Sequence, residues 1–468
     1  MPATFSIVNL GCPKNLVDAE RLAAALEEAG YRLELDPEQA ELILINTCGF
    51  IEQAKEESLG TIGEMIGLKR TGRCRGLVVT GCLSQRYPRS LWEQLPEVDA
   101  FLGIGGQDQI VGVCNRILDG NCERPCLIPD PDGLVEESIP RKQLTVPHSA
   151  YLKIADGCDN RCAYCAIPII RGGFRSRKPE VLEEEARELA DRGVRELIVI
   201  AQDTTMYGRD LPGGPRLPEL LERLCRIDRL RWIRVMYTHP AHYDDELIET
   251  VAREEKICNY LDLPLQHVCD DLLAAMNRRV TGEQIEALIG KLRSRIPDLT
   301  LRTTFIVGLP GETEEHFQQL IAFAERHRFE KLGAFSYSPE EGTLAAGMPG
   351  RPRRGVADRR LDQLLSLQQQ ISLEHHQSRM GQELEVLVDV PLVGMGVSDE
   401  AMADAFLPKA GAADEANKKW SAVGRSRREA PDIDGSVYLA GEGLTPGRFV
   451  RAQAVAYSEY DLFARAVS

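Results

Sequence analysis

The sequence predicts a three-part α/β chain. An open parallel α/β sheet is expected over residues 1–125, a (βα)6 partial TIM barrel over 148–377 and a small antiparallel β-barrel over 378–468. Three observations predict it. Strand-sized apolar runs alternate with amphipathic, helix-length stretches through the first 118 residues, the pattern of a parallel sheet built from right-handed crossovers. The alternation resumes after a proline-rich stretch and runs through six units, too few for a closed eight-unit barrel. Beyond residue 380 the helices stop, and short strands alternate with glycine turns.

Size and charge narrow the function classes. A chain of 468 residues exceeds one ordinary core. The net charge of −16 argues against broad, non-specific nucleic-acid binding, which needs a basic footprint. The longest apolar runs, such as Leu42-Ile43-Leu44-Ile45, are strand-sized, so no membrane-spanning helix is expected. The first residues carry no basic n-region, and the protein is expected in the cytoplasm. Thirteen cysteines, an odd number, read as ligands or buried apolar residues rather than disulfides.

The first part reads as four βα units. Residues 5–10 are a buried strand, and 15–30 a helix with apolar Leu16, Leu22, Ala25 and Leu26, ended by Gly30. Strands at 41–46 and 76–80 follow, each leading into a helix, at 51–68 and 89–95; a fourth strand at 100–103 precedes a helix at 108–118. Cys12, Cys48 and Cys82 each come just after a strand, 36 and 34 residues apart, about one βα unit. Each therefore sits at the carboxyl end of its strand, on the sheet edge where ligands bind. Glycines beside them, Gly11, Gly49 and Gly81, permit close backbone approach. A three-thiolate metal site is expected there; the rival is three unrelated cysteines on strand-end loops.

Prolines at 125, 129, 131 and 140, with acidic residues between, mark the stretch 121–147, of which 126–147 reads as a linker. Cys122 and Cys126 form a C-x3-C pair there, which reads as incidental, with a zinc or redox role as the rival.

The central part starts with a strand at 151–155 that runs into Gly157-Cys158-Asp159-Asn160-Arg161-Cys162-Ala163-Tyr164-Cys165. Thiolates on a short loop hold iron–sulfur clusters; a cubane has four irons, so three thiolates leave one iron open. An open coordination position is where chemistry occurs. The rival is a structural zinc site with a distant fourth ligand, the next cysteine being Cys225. Strands at 196–202, 232–237, 260–265, 299–307 and 332–337 alternate with helices at 180–192, 216–226, 244–253, 270–275, 283–294, 314–327 and 359–379. Their carboxyl-end loops carry Gln202, Gln266, His267, Gly308 and Gly311. His267 reads equally as a packed histidine or a cofactor contact. Arg171, Arg175 and Arg177 read equally as partners of a cofactor or substrate carboxylate or as a solvated arginine face.

In the last part, strands are expected at 383–390, 421–428, 436–440 and 448–457. Residues 398–420 look like an insertion in the barrel. Ten Lys and Arg face fourteen Asp and Glu over 378–468, the wrong sign for phosphate binding.

The C-x3-C-x2-C spacing resembles the signature loop of the radical S-adenosylmethionine (SAM) enzymes. The resemblance implies that the open iron chelates SAM, that Tyr164 lies near the adenine, and that the loops bearing Gln202, Gln266, Gly308 and Gly311 contact SAM. Residues 423–435 resemble the signature of TRAM domains, which hold RNA in tRNA-modifying relatives; the acidic balance points instead to a protein partner. Two three-cysteine sites with a TRAM domain resemble the methylthiotransferases. Leu10-Gly11-Cys12-Pro13-Lys14-Asn15-Leu16-Val17-Asp18, Asn46-Thr47-Cys48-Gly49-Phe50-Ile51 and Asp156-Gly157-Cys158-Asp159-Asn160-Arg161-Cys162 with Ala166-Ile167-Pro168 resemble the RimO family.

That resemblance implies two 4Fe-4S clusters, SAM, and methylthiolation of an aspartate β-carbon in small-subunit ribosomal protein number twelve. An unactivated C–H bond calls for a radical, which SAM and iron–sulfur clusters supply. The cluster on Cys158, Cys162 and Cys165 would generate it, and that on Cys12, Cys48 and Cys82 would present the methylthio group. A reductant such as flavodoxin or ferredoxin and a sulfur donor are implied. The ribosomal protein is basic, so an acidic TRAM domain favours encounter. The rivals are a MiaB-like tRNA adenosine methylthiotransferase and a non-catalytic iron–sulfur electron-transfer or RNA-binding module.

Overall fold

The computed structural model describes residues 2–120, 123–131, 140–392 and 420–467. Strands β1 (Thr4–Asn9), β2 (Arg32–Leu33), β3 (Leu42–Thr47), β4 (Gly76–Gly81), β5 (Ala100–Leu102) and β6 (Cys126–Leu127) form a parallel sheet in the order β2-β1-β3-β4-β5-β6. Successive residues of a strand point to opposite faces, so β3 feeds two cores. Leu42 and Leu44 pack with Phe5, Leu22 and Val78; Ile43 and Ile45 pack with Ile62, Leu77 and Phe101. The residues expected as a linker begin as a strand, since Cys126–Leu127 is β6. Their far end is pinned too: Arg141, buried, pairs with Glu20 of the first helix and, at 2.9 Å, with Glu185 of the next part. Cys122 lies outside the described residues.

β7 (Ser149–Lys153) opens the central part. A short antiparallel hairpin, β8 (Ala155–Asp156) with β9 (Arg175–Ser176), then closes around the cysteine loop. β10 (Glu196–Ile200), β11 (Trp232–Val235), β12 (Ile257–Asp262), β13 (Thr300–Val307) and β14 (Lys331–Ser336) complete a parallel sheet in the order β14-β13-β12-β11-β10-β7. It is open: β7 and β14 are its two edges. The helices pack on the outer face over Leu197, Val199, Leu261 and Phe305. The inner face is filled from both ends. Val17 of the first helix enters with Tyr151, Ile198, Trp232 and Tyr260, and Leu387 and Ala430 enter from the last part.

β15 (Glu383–Pro391), β16 (Ala422–Arg425), β17 (Val437–Ala440), β18 (Phe449–Tyr457) and β19 (Leu462–Ala466) form a closed barrel in the order β15-β16-β17-β19-β18. The expectation of a purely antiparallel barrel is corrected at one seam, because β17 and β19 are parallel. A ring of five strands cannot alternate direction at every seam, so one pair must run the same way. β19 escapes the sequence reading because Leu-Phe-Ala-Arg-Ala is short and poor in β-branched residues. Apart from Trp420, the expected insertion lies outside the described residues.

This barrel docks on the amino ends of the central strands. Arg425 pairs with Glu196 at 2.6 Å, Trp232 meets Phe449 edge to face at 4.8 Å, and Arg428 donates to Thr300 at 2.9 Å. Glu196, Trp232 and Thr300 each begin a strand, so the cysteine loop lies at the opposite end.

Candidate active site

Register brings three distant cysteines together. In the sheet Asn9 stands opposite Asn46, and Asn46 opposite Thr80. Cys12, Cys48 and Cys82 follow these residues on three adjacent strands. Glycines weld the loops. A Cβ on Gly11, at φ +91°, would lie 2.8 Å from Cys48 Cβ; one on Gly49 would lie 2.8 Å from Leu83 Cα. Asn15 ties the row below: its Nδ2 donates to Leu10 O and Thr47 O, and its Oδ1 accepts from Cys82 Sγ at 3.3 Å. Burial, with Cys12 and Cys48 nearby, pushes the Cys82 thiol up to about 12, though Arg171 pulls the other way. A coordinated metal would reverse this, since a coordinating thiol is deprotonated outright. Three thiols on one glycine-lined sheet edge are a donor set that fits an iron–sulfur cluster.

The second triad sits in the 157–174 excursion between β8 and β9. Gly157 closes its base: at φ +72° a Cβ there would lie 1.8 Å from Gly173 O. Cys158 N donates to Gly172 O at 3.2 Å, and Cys165 N to Cys162 O at 3.0 Å. Burial pushes the Cys158 and Cys165 thiols up to about 12. Arg278 Nη1 approaches Cys162 Sγ at 3.6 Å and Tyr164 OH at 3.3 Å, bringing a fixed cation to the loop. Here too the donors suit an iron–sulfur cluster.

A buried ion network joins the two triads. Arg171, 1% exposed, pairs with Asp18 at 2.8 Å and Asp156 at 2.9 Å, donates to Asn15 Oδ1 at 2.7 Å and lies 3.7 Å from Cys82 Sγ. Lys153 pairs with Asp18 at 2.5 Å and Asp156 at 3.0 Å. Burial pushes Asp156 up, but Arg171 and Lys153 hold its carboxyl well below the usual range. The expectation that Arg171 and Arg177 face a SAM carboxylate or solvent is therefore corrected. Arg171 is consumed at the junction, Arg177 pairs with Glu185 at 2.7 Å, and Arg175 donates to Gly173 O and Arg171 O.

The remaining expected contacts divide. Gln202 donates to Asp156 at 3.0 Å, which leaves its buried Oε1 without a protein donor; Gln266 Oε1 is likewise buried without one. Gln266 holds φ of 71°, in the left-handed region that non-glycine residues seldom adopt. Tyr164 is partly buried beside Arg278, and that burial raises its hydroxyl well above the usual range. Gly308 has a reason within the fold, since a Cβ there would lie 2.6 Å from Ala357 Cβ; Gly311 N donates to Gly350 O at 3.0 Å. His267 is packed: its Nδ1 accepts from Cys269 N, and burial lowers it to about 3.

Asp203, His239 and His242 escaped the sequence reading. Their ligand atoms lie within 4.8 Å of one another. Asp203 accepts from Asn160 Nδ2 at 2.7 Å and Thr205 N at 3.0 Å, and pairs with His242 at 2.8 Å. Its oxygens are thus occupied in bracing the cysteine loop. Lys14, Asp18, Lys153 and Tyr237 were also missed as a set, since their sequence separations hide that they meet.

Family models match three stretches of the chain. The "Radical SAM superfamily" model matches residues 152–324, the "Uncharacterized protein family UPF0004" model 4–103 and the "TRAM domain" model 412–467. Among solved structures, the radical SAM methyltransferase TsrM from Kitasatospora setae, with tryptophan and a SAM analogue, is similar in fold. Its TM-score is 0.54 at 17% identity, over 71% of this chain and 72% of that one. Fold and site together define a radical SAM enzyme with a second three-cysteine domain and a TRAM barrel. Curated proteins called "Ribosomal protein uS12 methylthiotransferase RimO" resemble it over nearly its full length. That of Desulforamulus reducens is 45% identical, covering 99% of each chain, and that of Geobacter sulfurreducens 44% identical, covering 99% of this chain and 98% of the relative. The chain belongs to the RimO family.

Proposed function

We propose that this chain adds a methylthio group to the β-carbon of an aspartate in ribosomal protein uS12. The observation that carries the reading is the facing of two cysteine triads across one buried ion network, in a chain of the RimO family. Residues 1–125 would hold one 4Fe-4S cluster through Cys12, Cys48 and Cys82. Residues 148–377 would hold another through Cys158, Cys162 and Cys165, with 126–147 as connector and 378–468 as the TRAM domain. When bound, the clusters and SAM supply the radical and the methylthio group.

The chain's own residues do the positioning. Arg171, Lys153, Asp18 and Asp156 lock the two triads at a fixed separation, which puts reacting groups in register. Tyr164, Gln202 and Gln266 line the core side as SAM contacts; the two glutamines offer free carbonyl oxygens. Gly308 and Gly311 shape the loop after β13. The TRAM arginines favour the protein substrate over tRNA. Arg425 is 5% exposed and held by Glu196 and Asp389, while Arg427 and Arg428 donate to Glu255 O and Thr300 Oγ1. They are engaged in docking the barrel and not free for phosphate. An acidic TRAM surface would draw the basic ribosomal protein. A flavodoxin or ferredoxin would supply electrons, a sulfur donor would replenish the transferred atom, and the work would proceed in the cytoplasm. Among the described residues no helix is long and apolar enough to cross a membrane.

The test is anaerobic reconstitution followed by iron quantitation and mass spectrometry of both substrates. About eight irons per chain are expected, as two four-iron clusters. Cys12→Ala should lower iron to about four and abolish the mass gain on uS12. A mass gain on tRNA with none on uS12 would establish the rival substrate instead.

A further inference from the structure

Lys14 follows Cys12 and Pro13 at the start of the helix Pro13–Glu28, yet its side chain turns inward and is only 5% exposed. The ammonium lies over the ring of Tyr237, 2.8 Å from its centroid. Tyr237 comes just after β11 and is held at φ of 59°, a conformation that non-glycine residues adopt at a cost. An aromatic face attracts a cation but offers no hydrogen-bond acceptor.

No carboxylate among the described residues pairs with Lys14, and the acids around it are engaged. Asp18 is held by Lys153 and Arg171, and Asp156 by Lys153, Arg171 and Gln202. Asp262 is held by Arg302 and by the amide of Tyr237. A buried ammonium that no described carboxylate pairs with is stabilised by an anion brought to it. It lies between the two halves of the site: Cys12 acts on it from the first sheet, and Asp262 from the end of β12.

We propose that the Lys14 ammonium receives the side-chain carboxylate of the acceptor aspartate and holds its β-carbon between the two cysteine triads. This rests on the reading of an aspartate as acceptor. The carboxylate carbon is bonded directly to the β-carbon, so a salt bridge to a fixed ammonium sets where the reacting carbon lies. The cation also explains a choice among side chains. Asparagine has the same shape without the charge, and an adenine base offers no carboxylate at all. A charge-assisted hydrogen bond is about twice as strong as a neutral one. Tyr237 forms the wall behind the ammonium and blocks the opposite approach.

The experiment titrates anaerobically reconstituted enzyme with two uS12-derived peptides, one with the target aspartate and one with asparagine in its place. Wild-type enzyme is expected to bind the aspartate peptide about 30-fold or more tightly, the loss seen when one partner of a buried charge pair is removed. In Lys14→Met the two peptides should bind alike, and Lys14→Arg should restore part of the preference. Equal affinity of wild type for the two peptides overturns the proposal, whether or not any variant folds. So does a preference that survives in Lys14→Met. In both cases methylthiolation of the aspartate peptide would still stand. Failure of wild type to modify that peptide at all overturns the acceptor reading itself.

Discussion

A single guanidinium does most to relate the two triads. Arg171 is fully enclosed, and two carboxylates from different parts of the chain converge on it. Truncating one partner of a buried network leaves the others charged and unsolvated, which costs about 3–5 kcal/mol. Arg171→Ala should therefore lower the unfolding free energy by that order, since Asp18 and Asp156 would be left to share Lys153 alone. Arg171→Lys should recover only part of it. A point-like ammonium cannot reproduce the fork that now reaches Asp156, Asp18 and Asn15 together. A lysine variant as stable as wild type would show that the fork geometry contributes nothing.

At the level of elements, glycine separates strain from collision. Gly157 and Gly120 share a φ of +72°. A Cβ at 157 would lie 1.8 Å from Gly173 O, whereas one at 120 would meet nothing within 4 Å. Gly120→Ala should thus cost only the left-handed backbone penalty, about 1 kcal/mol. Gly157→Ala should force the β8–β9 hairpin apart and halve the iron bound per chain. Equal iron content in the two variants would mean that the hairpin does not shape the loop. The same elements show what a sequence discloses. Cys12, Cys48 and Cys82 were legible because a βα repeat of about 35 residues and parallel register return the chain to the same edge. Cys158, Cys162 and Cys165 were legible because they are local. Arg171 with Asp18 was not, since 153 residues separate them and no periodicity links them. The packed role of His267 and the parallel β17–β19 seam also arise only from tertiary closure.

In the whole molecule, the long helix Arg354–Gln377 joins the central sheet to the barrel, and its last turn carries a pH sensitivity. His376 is buried there, with Nδ1 at 3.0 Å from Ser458 O. Burial lowers it to about 4; Lys331 acts in the same direction, while Glu429 opposes it. An unfolded histidine titrates near 6.5, so below that pH the unfolded chain takes up a proton that the folded chain refuses until about pH 4. The stabilisation is complete above about pH 6.5 and is lost as pH falls from there towards 4. At pH 5 the loss from this one group is about 2 kcal/mol, from roughly 1.5 units at 1.36 kcal/mol each. His376→Gln keeps a side-chain N–H for Ser458 and removes the titration. Urea unfolding of the cluster-free chain at pH 7 and pH 5 should therefore show a smaller drop in the glutamine variant, by about 2 kcal/mol. Parallel drops in the two proteins would mean that the junction between central sheet and barrel already admits a charged imidazole, and that the acid sensitivity of the fold lies elsewhere.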